Sequence, residues 1–170
     1  MELYTDGGVI GGNPSFTGGT WAFAAVKDNA DPWKIGHGMI VPRQMGTPVI
    51  GNNQMELLAV IRGLQAMPED WCGIICSDSQ ITLGRIFKKW KLNNIPKWMI
   101  AELMIEKSRL KYWNMFQSLL LCGHPTKEDL ERGFGDNGNP VSTYNVLCDS
   151  MCNREAEKFT KGDNNVKSWI

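Results

Sequence analysis

Four carboxylates stand at the borders of segments that read as regular structure. Asp6 ends the run Leu3-Tyr4-Thr5 and is followed by Gly7-Gly8. Glu56 lies in Asn52-Asn53-Gln54-Met55-Glu56-Leu57, Asp78 in Ser77-Asp78-Ser79-Gln80, and Asp149 in Asn145-Val146-Leu147-Cys148-Asp149. Each has a local explanation. An Asp before Gly serves a turn. Glu56 three residues after Asn53 fits a capping box, and Asp78 between an apolar run and a helix fits an N-cap. Asp149 falls inside a helix, where capping accounts for it poorly and only the helix dipole remains. One shared site is more economical than four coincidences. Carboxylates about 4 to 5 Å apart repel by several kcal/mol per pair even at an effective dielectric near 20, so a chain that gathers them needs cations between them. All-oxygen ligation selects hard ions, magnesium or manganese, over zinc or copper. A pair of such ions activates water and stabilises the leaving oxygen in phosphodiester cleavage. The chemistry these residue types point to is therefore phosphoryl transfer to water.

The elements that must position the acids can be read from period and punctuation. Leu3 to Gly8, Thr20 to Val26 and Trp33 to Val41 have strand composition, separated by Gly-rich or Asp/Pro turns, and predict an antiparallel meander. Asn53 to Met67 recurs at helical spacing through Leu57, Ile61 and Leu64, with Pro68 as a stop. Gly73 to Ser77 is short and nearly all apolar, as a central strand covered on both faces would be. Ser79 to Trp90 and Lys97 to Arg109 read as helices broken at Leu92 to Pro96, Trp113 to Cys122 as the last strand, and Lys127 to Arg132 as a single helical turn. Tyr144 to Lys161 reads as a closing helix capped by Ser142 or Thr143. The expected fold is α/β: a mixed sheet with helices on its faces and sites at the carboxyl ends of its strands.

A chain of 170 residues, 42% apolar and 21% charged, suits one globular domain. We expect that domain over residues 1–161 and a loose tail over 162–170. No apolar run is long enough to span a membrane and no targeting segment is evident, so a cytoplasmic protein is expected. The five cysteines are an odd number at spacings poor for zinc, and buried free thiols are the better account. Formal net charge is zero, so a nucleic-acid partner would be held by local patches. The stretch Phe87-Lys88-Lys89-Trp90-Lys91, followed by Lys97-Trp98, is such a patch, although a solvated cationic helix end would look the same.

In order and wording, Leu3-Tyr4-Thr5-Asp6-Gly7-Gly8, Asn52-Asn53-Gln54-Met55-Glu56-Leu57-Leu58-Ala59, Ser77-Asp78-Ser79-Gln80, Gly123-His124 and Asn145 to Asp149 resemble the motifs of the ribonuclease H family over nearly the whole chain. That resemblance implies a five-stranded mixed sheet, three antiparallel strands followed by parallel ones, with helices on both faces. It implies an endonuclease that cuts the RNA strand of an RNA/DNA hybrid with two magnesium ions, manganese substituting. Asp6, Glu56, Asp78 and Asp149 would hold the metal, and His124 would assist proton transfer or product release. Asn13, Asn52, Asn53 and Gln80 would meet the hybrid, read by shape and 2′-hydroxyls. Lys88, Lys89, Trp90 and Lys91 would form a basic helical handle on the DNA strand. The protein would act as a monomer.

Departures from the family pattern are also visible. Asn13 comes one residue late, Gln54 stands where several relatives carry arginine, and the region between Asp78 and His124 is short. Gly133 to Pro140 looks inserted, as a flexible lid or surface excursion. The rival expectations are a DNA-processing nuclease of the same superfamily and a non-catalytic hybrid-binding domain.

Overall fold

The computed structural model describes residues 1–167, with side-chain surroundings through Lys161. β1 (Glu2–Ile10) pairs antiparallel with β2 (Gly18–Val26), which pairs antiparallel with β3 (Lys34–Ile40). Past α1 (Pro42–Met45) and α2 (Asn52–Ala66), the chain returns as β4 (Ile74–Ser77), parallel to β1 on its free edge. β5 (Gln117–Leu120) adds in parallel to β4 after α3 (Gln80–Phe87) and α4 (Lys97–Arg109). The order β3-β2-β1-β4-β5 is the expected mixed five-stranded sheet, with β1 at its centre. α5 (Lys127–Arg132) and α6 (Thr143–Lys167) follow.

Alternation along β1 divides the interior into two cores. Leu3 packs with Met55, Leu57, Leu58, Ile61 and Leu64 of α2 and with Met99 and Leu103 of α4. Tyr4 packs on the other face with Ala22, Ala24, Cys76, Cys148, Met151 and Cys152. Burying each side chain in these runs contributes about 1.5–3 kcal/mol, so both faces hold β1 firmly. Rigidity at β1 matters because Asp6 is part of it. The five cysteines are free thiols, four buried and Cys72 half-buried, and burial pushes the Cys76 thiol up to about 12.

The structure departs from the sequence expectations first at Asp6 and Gly7, which lie inside β1 opposite Ala22 and Trp21 of β2 and do not end a strand and open a turn, and then in four further places. α3 ends at Phe87, before the basic stretch, because Lys89 takes a positive φ of 56° and Trp90 folds back over Gly84, where an added Cβ would lie 2.1 Å from the indole. Lys88 to Lys91 are therefore a loop and not a helical handle. Trp113–Met115 is a 3-10 turn, not the start of a strand, because Trp113 stacks on Phe87 at 5.9 Å and packs against Phe116. α6 continues through Lys167, into the span expected to be a loose tail, with no proline to stop it; Ser168, Trp169 and Ile170 lie outside the described residues. Gly133 to Pro140 is a hydrogen-bonded turn and not an open loop. Phe134 bridges to Pro140, Gly135 N–H donates to Asn139 at 2.9 Å, and Cys122 N–H ties the turn to the end of β5 through the Pro140 carbonyl.

Candidate active site

The site is built where β1 touches the first turns of α2. A Cβ on Gly7 would lie 2.3 Å from the Met55 carbonyl carbon and 2.6 Å from the Glu56 nitrogen, so only glycine lets strand and helix come this close. That contact brings Asp6 and Glu56 side by side. The local explanations for the acids then fall away. The N-terminus of α2 is capped by Gln54, whose Oε1 accepts from Gly51 N–H at 3.0 Å, which leaves Glu56 free of any capping box. The N-cap of α3 is Ser79, whose Oγ accepts from Thr82 N–H at 3.2 Å, which leaves Asp78 free at the end of β4.

Carboxylate oxygens of Asp6, Glu56 and Asp78 lie within 4.8 Å of one another. Asp149, on α6, lines the same cleft, and its charge is felt at Asp6. The cleft encloses about 490 Å³, and its lining also includes Asn13, Asn52, Asn53, Ser79, Gly123, His124 and Asn153. Asp6 is 7% exposed; burial, and then the charges of Asp78 and Asp149, push its carboxyl up to about 8. Burial, with Asp6 and Asp78 next, holds Glu56 well above the usual carboxylate range, while the Gly7 N–H beside both groups works in the opposite direction. Asp78 is raised by burial against the lowering effects of the Asn145 amide and of His124. Glu56 Oε2 is withdrawn from solvent with no hydrogen-bond partner. Among the described residues no lysine or arginine pairs with any of the four acids. Like charges at this spacing, unneutralised by the protein, are the donor set of a hard divalent cation. The residues fit such an ion.

The other expected residues fall into two groups. Asn13, Asn52 and Asn53 come together on the cleft, Asn13 Oδ1 accepting from Asn52 N–H at 3.1 Å. His124 is exposed on the rim, with φ 46°. Gln80 is exposed at the start of α3 and does not line the cleft, whereas its neighbour Ser79 does. Lys88, Lys89, Trp90 and Lys91 are exposed on the α3–α4 loop, with Lys88 Nζ 5.8 Å over the Trp90 ring. Asn153 was not singled out in the sequence, although it follows Asp149 by one helical turn and so shares its face. Asn145, 4% exposed, was also passed over as a bystander in the Asp149 motif.

Comparison with known proteins gives one consistent result. The family model described as RNase H matches residues 1–157. A Ribonuclease H of Rhodopirellula baltica is 40% identical over 159 residues, covering 89% of this chain and 87% of that protein. One from Oleidesulfovibrio alaskensis is 31% identical over 160 residues, covering 93% and 91%. Among solved structures, LC11-RNase H1 in complex with an RNA/DNA hybrid superposes with a TM-score of 0.63 at 16% identity, over 92% of this chain and 96% of that one. RNase H1 from Halobacterium salinarum gives 0.54 at 18% identity, over 92% and 97%. These two similarities bear on the fold.

Proposed function

The chain belongs to the ribonuclease H family, and from that premise we propose that it cuts the RNA strand of RNA/DNA hybrids, with Asp6, Glu56, Asp78 and Asp149 holding two magnesium ions, manganese substituting. The observation that carries this reading is the set of close carboxylates, Asp6 buried and Glu56 and Asp78 half-buried, with no lysine or arginine among the described residues paired to them. Bound there, hard divalent ions supply an activated water and positive charge at the leaving oxygen. The protein's own part is to fix the donors before substrate arrives: β1 and β4 are sheet strands, and Glu56 and Asp149 lie within helices packed on that sheet. Little reorganisation is then left for the reaction itself.

To His124 we assign proton movement at the rim, because it lines the cleft and its charge is felt at Asp78. Asn13, Asn52 and Asn53 offer amides to the minor groove of the hybrid, where 2′-hydroxyls distinguish the RNA strand. Gln80 is assigned to the substrate as the neighbour of Ser79. Lys88, Lys89 and Lys91 are assigned to phosphates of the DNA strand and Trp90 to a sugar. All four acids come from one chain, which suits a monomer. The test is a panel of strand-labelled RNA/DNA hybrid, duplex DNA and duplex RNA, each with magnesium and with chelator. Cleavage of the RNA strand of the hybrid alone, dependent on magnesium, is expected; preferential cleavage of duplex DNA would replace this reading with that of a DNA-processing nuclease.

A further inference from the structure

A second cavity of about 620 Å³ adjoins the acid cleft and shares Asn13, Asn52 and Asn53 with it. Its far wall is the α3–α4 loop, through Asn93, Asn94, Ile95 and Pro96. That loop carries Lys88, Lys89 and Lys91; Trp90 seats it on Gly84 and Ile95 anchors it in the core. Two further side chains hydrogen-bond to it across the cavity. Gln54, 8% exposed, accepts from Gly51 N–H through Oε1 and donates through Nε2 to the Asn94 carbonyl at 2.7 Å. Arg85 of α3 donates from Nε to the Lys91 carbonyl at 3.1 Å and from Nη2 to the Asn93 carbonyl at 3.2 Å. Its guanidinium pairs with no carboxylate among the described residues. Arg85 Nη1 has no partner, but its other two nitrogens on two loop carbonyls and the Gln54 amide on a third form a brace between the start of α2 and the end of α3.

We propose that Gln54 and Arg85 are positioning residues: their brace fixes the distance from the carboxylates to the lysines of the α3–α4 loop, and so governs hybrid affinity rather than the chemical step. This inference rests on the hybrid-cleaving reading above. A loop without its own hydrogen-bonded ladder samples many positions, and lysines on it lose affinity when they must be ordered at binding. Braced, they meet the backbone at a set span from the scissile bond. Arg85→Lys keeps the charge but not the fork, so non-additivity with the loop lysines is what separates this role from direct phosphate contact.

The experiment is steady-state cleavage of labelled hybrid over a range of salt, using Gln54→Met and Arg85→Lys, which keep the protein's net charge. Each is expected to raise KM at low salt about 3- to 10-fold, the size of one or two hydrogen bonds. Each should leave kcat within about twofold and flatten the dependence of log KM on log salt by about one phosphate contact. Replacing Lys88, Lys89 and Lys91 with alanine should raise KM less in either brace variant than in the wild type, because coupled residues are non-additive. Arg85→Lys keeps the Gln54 cap on α2 intact and so covers the case in which Gln54→Met fails to fold. Wild-type KM and salt slope in both variants, or loop and brace effects that simply multiply, would overturn the brace. Failure of the wild type itself to cut hybrid would instead overturn the function on which the inference rests.

Discussion

At the scale of single residues, the acids do opposite things for stability and for activity. Asp6 has a folded pKa near 8, against an ordinary value near 4 in the unfolded chain. Between those values the native state holds a proton that the unfolded state has released, so the stability of metal-free protein should fall as pH rises from about 4 to about 8. A bound divalent cation removes that cost. Melting curves in chelator at pH 5 and pH 8 should show the loss, and magnesium should restore far more at pH 8 than at pH 5. Asp6→Asn should melt several degrees above wild type in chelator at pH 8 and gain less from magnesium than wild type does. His124→Ala should behave differently. Rates should drop by about 10²- to 10⁴-fold, as expected for lost proton-transfer help, while the magnesium-dependent melting shift stays at the wild-type value. An unchanged rate would remove His124 from the reaction.

At the scale of elements, the decisive contact is that of β1 with α2 at Gly7. Gly7→Ala puts a methyl group into the Met55 and Glu56 backbone, and we expect a loss of about 2–4 kcal/mol in chemical denaturation together with weakened metal binding. A Gly7→Ala protein of wild-type stability would show that the strand and helix need not touch there. This contact also marks where sequence reading stops. Three acids were legible from their places, Asp78 after β4 and Glu56 and Asp149 on helix faces, whereas Asp6, read as ending a strand, lies in the middle of β1; α4 was legible to its bounds because Pro96 starts it and its apolar spacing is regular. Gly7 was legible only as a turn residue, since its partner lies far along the chain. The local explanations of Glu56 and Asp78 failed because Gln54, two residues before Glu56, and Ser79, one residue after Asp78, do the capping instead. The basic stretch was misread as helical because residue propensity carries no sign of Trp90 lying on Gly84. The brace at Gln54 and Arg85 left no trace in the pattern, since its acceptors are backbone carbonyls.

At the scale of the whole molecule, a neutral chain gathers four carboxylates on one cleft and carries three lysines on one nearby loop. No helix among the described residues is long and apolar enough to cross a membrane. Ions that bind only the folded cluster must stabilise the entire fold, by about 2.7 kcal/mol at a hundred times their Kd, which for a chain of this size is a rise in Tm on the order of 5–10 °C. Magnesium or manganese should produce that rise and sodium at matched ionic strength should not; an equal response to all three would deny a specific site. The most direct measurement combines the cluster with its chemistry: single-turnover cleavage of a hybrid labelled on the RNA strand, with magnesium, by wild type and by Asp6→Asn. A metal cluster built on Asp6 requires RNA-strand cleavage by the wild type and none above background by the variant. Equal rates for the two proteins would contradict it.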